Sequence, residues 1–95
     1  MDINEAYKQK LAAQLKEWSA QISLMEAKVE NAEADLRIKR LDVINDLRAK
    51  QRVATEKLKE LEKSSGDAWD QVKITAEKIW ADLKDGIADA HAKFK

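Results

Sequence analysis

Across the first half of the chain, apolar residues recur in a 4-3 rhythm: Leu11, Leu15, Trp18, Ile22, Met25, Val29, Ala32, Leu36 and Val43, with only the Lys39 slot polar. A mean spacing near 3.5 keeps such residues on one stripe of a helix, the pattern of helices that wrap around each other. The positions between them are mostly Lys, Glu, Gln and Ala. A start signal precedes the stripe. Asp2 or Asn4 can accept hydrogen bonds from the first free N–H groups, and Glu5 follows Asp2 by three, as in a capping box. Near residues 36–44, "LRIKRLDVI", the pattern resumes one residue later as Ile44, Leu47, Gln51, Ala54, Leu58 and Leu61. That shift reads as a stutter, a local unwinding with no break. The spacing therefore predicts one long coiled-coil helix over about residues 4–63.

A second apolar set, Trp69, Val72, Ala76, Ile79, Trp80, Leu83, Ile87, Ala90 and Phe94, marks a shorter helix over about residues 67–94. Its stripe is broader than a two-stranded seam needs. Between the two lies "SSGD", with one of the chain's two glycines and no proline anywhere. Gly66 suits a left-handed C-terminal cap and Asp67 an N-cap. Asp67 and Asp70 both favour the positive end of a helix dipole. Ser65, Gly66 and Asp67 thus predict a turn at 64–67. The chain 1–95 then forms a single all-α domain, a helical hairpin of a long helix (1–63) and an amphipathic second helix (68–95). The competing reading is one unbroken rod, because Ser65, Ala68, Val72 and Ile79 continue the register of Leu58 and Leu61.

Charge order says how such a hairpin could assemble. Residues 1–36 carry four Lys against seven acidic residues, a net of −3, and residues 37–63 carry nine basic against five acidic, a net of +4. A second helix half the length of the first covers only residues ~35–63, which leaves the stripe from Leu11 to Ala32 open to water. Two copies of the long helix running antiparallel would cover it and set acidic beside basic halves. An antiparallel homodimer is the expected assembly, with Leu11, Leu15, Trp18, Ile22, Met25, Val29, Leu36 and Val43 in its core. Trp69, Val72, Ile79, Trp80, Leu83, Ile87 and Phe94 form the expected core face of the second helix.

Chemistry has little to work with. The single histidine, His91, sits near the end of the second helix, where a cation complements the negative dipole end. Glu26, Glu30 and Glu33 share a face that reads as solvated, with Glu33 paired to Arg37 at i+4. No catalytic, metal or cofactor residues are expected, and the chain reads as non-enzymatic. The basic patch Arg37, Lys39, Arg40, Arg48, Lys50 and Arg52 could suggest nucleic acid. Asp42 and Asp46 interrupt it, no aromatic residue interleaves, and the whole chain has zero formal charge, all of which weigh against that partner. Trp69, Trp80 and Phe94 on one face of a lysine-bearing helix make a lipid or storage-granule surface the alternative partner to self-association. The chain has no cysteine, no 18-residue apolar run and no basic-then-apolar leader, so a cytoplasmic protein without a transmembrane segment is expected.

The stretch "YKQKLAAQLKEWSAQISLMEAKVENAEAD" resembles a group of small bacterial coiled-coil proteins that share a Y-x-x-K-L-x-x-Q-L-x-E-W-x-A-x-I opening. The likeness continues through "LRAKQRVATEKLKEL" and "SSGDAWDQVKITAEKIWADLK", which is similar to their repeated A-W-x-x-(L/V)-K phrase. The resemblance implies a bacterial, non-enzymatic helical protein, in some members linked to stress response. It brings no ligand or catalytic residues.

Overall fold

The computed structural model describes residues 3–94, which form three helices and, among those residues, no strand. Helix α1 spans Ile3–Val29, α2 Ala34–Lys63 and α3 Asp67–Lys93. The proposed cap at Asp2 lies outside the described residues. Short turns join consecutive helices, so each runs antiparallel to the one before it. Tyr7 near the start of α1 accordingly meets Trp69 near the start of α3, edge to face at 6.1 Å. The bundle measures 51 × 21 × 18 Å, and α2 packs along both neighbours while α1 and α3 touch less.

The long helix over 4–63 is corrected here: it is interrupted at residues 30–33, "ENAE". Asn31 N donates to Lys28 O (3.2 Å) and Ala32 N to Val29 O (3.0 Å), a tightened last turn. Glu33 then takes extended backbone (φ −61°, ψ 155°) and α2 begins. The stripe of α1 therefore folds back onto its own chain instead of standing open. Leu11, Leu15, Trp18, Ile22, Met25 and Val29 are all buried. That removes the uncovered surface from which the antiparallel dimer was argued.

The unbroken helix expected at 36–44 is present, but the register shift needs no stutter there, because the chain breaks earlier, between α1 and α2. The displaced register belongs to a different helix, whose buried residues are Ile44, Leu47, Ala54, Leu58 and Leu61. Leu36, placed in the first stripe by its spacing, is exposed, and Val43 is half-buried.

At the second turn the chain does reverse, through Ser64, Ser65 and Gly66, so the unbroken rod is not what forms. The caps differ from expectation. Ser64, in extended backbone, is the C-cap of α2, and its N–H donates to Leu61 O while its hydroxyl donates to Glu60 O. Gly66 sits at φ 59°, ψ −133°, outside the left-handed helical well, as the N-cap of α3. Asp67 is the first helical residue, with Asp70 in the same turn. A φ of that sign with that ψ is open essentially to glycine alone.

On α3, Trp69, Ala76, Trp80, Leu83, Ile87 and Ala90 are buried, joined by Phe94 just past its end; Val72 and Ile79 are half-buried. All these side chains form one core with those of α1 and α2, and among the described residues no polar or charged residue is buried in it.

Candidate functional site

Surface chemistry concentrates on α2, which carries the basic segment. Helix geometry splits that segment between its two neighbours. Arg48, half-buried, turns toward α1: its Nη2 donates to Ser23 Oγ (3.1 Å) and lies 3.6 Å from Glu26 Oε1, and its Nη1 donates to Gln51 Oε1 (3.2 Å). Lys50 turns toward α3 and lies between Asp46 (3.4 Å) and Asp82 (3.9 Å). Arg40 lies over the Phe94 ring at 5.1 Å. Arg37, Lys39 and Arg52 are exposed. Six residues that form one run in the sequence thus point three ways. A shallow groove of about 390 Å³ lies along α2, lined by Arg48, Gln51, Arg52, Thr55, Glu56 and Lys59. It mixes cations with a carboxylate and shows no convergent donor set for an anion.

The carboxylates separate too. Glu26 faces Arg48, whereas Glu30 and Glu33 lie in the first turn. Glu33 meets Arg37 through the backbone, Arg37 N donating to Glu33 O at 2.8 Å, and not through the expected ion pair. Among the described residues no group of three His, Cys, Asp or Glu could hold a metal ion. His91 is exposed in the last turn of α3. Among the described residues, no helix is long and apolar enough to cross a membrane.

Two features went unsingled in the sequence. The first is the corner where α1 and α3 begin. Tyr7 is wedged against Trp69, with Lys73 Nζ 5.0 Å over the Tyr7 ring and Lys8 Nζ 5.6 Å over Trp69. Burial, helped by the nearby Glu77 carboxylate, raises the Tyr7 phenol above its ordinary value of 10.0. The unfolded chain then loses this proton first as the pH rises. Stability from this group is complete below about pH 10 and falls between there and the raised value. Tyr7→Phe should flatten that part of the melting-temperature profile relative to the parent chain, measured by circular dichroism from pH 8.5 to about 11.5. Parallel profiles would place the phenol in water in both states.

The second is the start of α2. Its first ten residues, 34–43, contribute no buried side chain. Three large aliphatics lie open there, Leu36 at 43%, Ile38 at 63% and Leu41 at 38% exposure. Other exposed aliphatics, Ile3, Leu24, Val53 and Ile74, are scattered singly, which is ordinary for a soluble surface. Three within six residues are not. Their signal is present in the sequence, where "LRIKRLDVI" sets apolar residues on several faces of one helix segment.

No family model matches the chain, and neither a curated protein nor a solved structure matches it.

Proposed function

We propose that this protein is a non-enzymatic helical bundle that acts by packing against other helices, its own copies first, in a structural or stress-related role. The observation that carries this is the uncovered start of α2. Leu36 stands one turn before Arg40, which caps the end of the core over Phe94, yet α1 has already ended at Val29 and 43% of Leu36 stays open to solvent. Exposed aliphatics grouped on one segment mark a contact surface. The chemistry of the rest agrees with this, since the charged side chains meet one another, solvent, or aromatic rings and polar groups of the bundle itself. The resemblance to small bacterial coiled-coil proteins supports the same reading. Sedimentation equilibrium from about 1 to 500 µM should show mass rising above one chain. Leu36→Lys should weaken that association by about tenfold or more, because burying one leucine contributes roughly 1.5–3 kcal/mol, which is about 12- to 160-fold. A single-chain mass at every concentration would end this reading.

One observation favours a lipid or granule surface instead. Trp69, Trp80 and Phe94 share the buried face of α3, and Trp80 Nε1–H is buried with no acceptor. Opening the bundle at an interface would give that N–H a partner and lay the aromatic face on acyl chains. Co-flotation with anionic vesicles at physiological salt tests it, and protein left at the bottom of the gradient removes it.

A further inference from the structure

We propose that the Glu30–Glu33 turn is a hinge through which two copies of this chain exchange α1. Exchange would yield a two-fold dimer built on a continuous helix from Ile3 to Lys63. The inference rests on the self-association proposed above and gives it a geometry.

The turn is nearly helical already. Through Ala32 the chain still forms i→i−3 bonds, and from Arg37 N to Glu33 O it forms an i→i−4 bond. The departure is at Glu33, where φ of −61° is already a helical value and ψ of 155° is not. No residue in the turn is glycine or proline, and no non-glycine residue described has positive φ. Nothing in the turn's chemistry therefore opposes a continuous helix. Glu33 makes no side-chain cap on α2. Joining the helices would let the last carbonyls of α1 and the first N–H groups of α2 satisfy each other. The second turn is the contrast, because at Gly66 both φ (59°) and ψ (−133°) lie far from helical values, and a glycine in a helix interior costs about 1 kcal/mol.

The faces also agree. From Val29, the last buried residue of α1, to Ile44, the first of α2, is fifteen residues. That is close to four turns at 3.6 residues each, so in an unbroken helix both buried sets fall on one stripe. A partner's α1 can then occupy the place that the chain's own α1 holds in the bundle, with the Arg48–Glu26 pair formed between copies. Near the two-fold axis, the acidic Glu30, Glu33 and Asp35 would come beside the partner copy's Arg37, Lys39 and Arg40, and Leu36 would be covered. The chain's acid-then-base order is self-complementary in this antiparallel arrangement. Closed bundle and exchanged dimer share most contacts, so chain concentration decides between them.

The chain has no cysteine, which makes the test direct. Lys16→Cys and Arg52→Cys, both at exposed positions, carry spin labels. Labelled protein is unfolded and refolded at high concentration with a large excess of unlabelled chain, so that only intrachain distances register. Monomer and dimer are then separated with light scattering. In the monomer the labels sit on adjacent helices, below about 25 Å apart. In an exchanged dimer, thirty-six residues of helix set them about 54 Å apart. As a second variant, Glu33→Pro fits the φ of the turn and blocks the continuous helix. It should keep the parental monomer melt and cut the dimer population about 100-fold or more. A dimer with the short distance, or a Glu33→Pro chain that dimerises like its parent, overturns the exchange and leaves self-association standing. Absence of any dimer overturns both.

Discussion

Replacing Trp80 by alanine is expected to cost about 3–5 kcal/mol of folding free energy, lowering the melting midpoint by on the order of 15–30 °C. The side chain is buried midway along α3 in the core that all three helices share. Truncation leaves a cavity that a bundle with every neighbouring position filled cannot close easily. The informative companion is Trp80→Phe. Phenylalanine gives up less apolar area and also removes an N–H that has no acceptor, whose burial itself costs roughly 1–3 kcal/mol. The two effects oppose each other, so Trp80→Phe should lie within about 1.5 kcal/mol of the parent. Urea titrations of the three proteins, followed by circular dichroism, measure this. A phenylalanine variant as unstable as the alanine one would show that Nε1 has a partner in solution.

How far the sequence reveals this arrangement depends on what each feature needs from its residues. The faces of the helices were legible, because burying a side chain demands an apolar residue and the 3.6-residue period does the rest. Leu11 to Val29 and Trp69 to Phe94 could be read directly. Gly66 was legible as a turn for a related reason, since its backbone excludes other residues. Its role in the cap was not, because φ alone does not distinguish a left-handed helical cap from the conformation it adopts.

The turn at 30–33 left almost no chemical trace. It consists of residues that would also be content in a helix, with Glu33 in extended backbone. Its trace was in the phase. Buried positions step 4-3-4-3-4 up to Val29 and resume at Ile44, one residue beyond the slot Val43 would have filled. A stutter and a break displace the register alike, and no periodicity argument separates them. Missing that turn made the stripe of α1 seem uncovered, and the dimer followed from it. The basic segment shows the same limit. Its composition was plain, but the separation of Arg48 toward α1 from Lys50 toward α3 depends on which neighbours flank α2.

The contact between α2 and α3 offers the second large effect, and it can be resolved into its parts. Leu47 is 1% exposed, and its Cδ2 would stand 3.1 Å from a Cβ added at Gly86. Leu47→Ala should cost about 3–5 kcal/mol, as for a leucine with no solvent outlet. Gly86→Ala alone combines opposite terms. Alanine gains about 1 kcal/mol over glycine in a helix interior, while the tight approach to Leu47 gives some of it back. The net should fall within about 1 kcal/mol of zero. With alanine at position 47 the obstructing atom is gone and the added methyl enters vacated space. Gly86→Ala should then stabilise the truncated chain by about 1 kcal/mol or more, and the double-mutant cycle should show a coupling of at least about 0.5 kcal/mol. Additive effects would mean that Leu47 already lies away from Gly86 and that α2 and α3 are spaced by the small Ala54, Ala76 and Ala90, each fully buried, instead. In that case Ala76→Leu, an overpacking substitution expected to cost roughly 1–3 kcal/mol, becomes the change that forces the two helices apart.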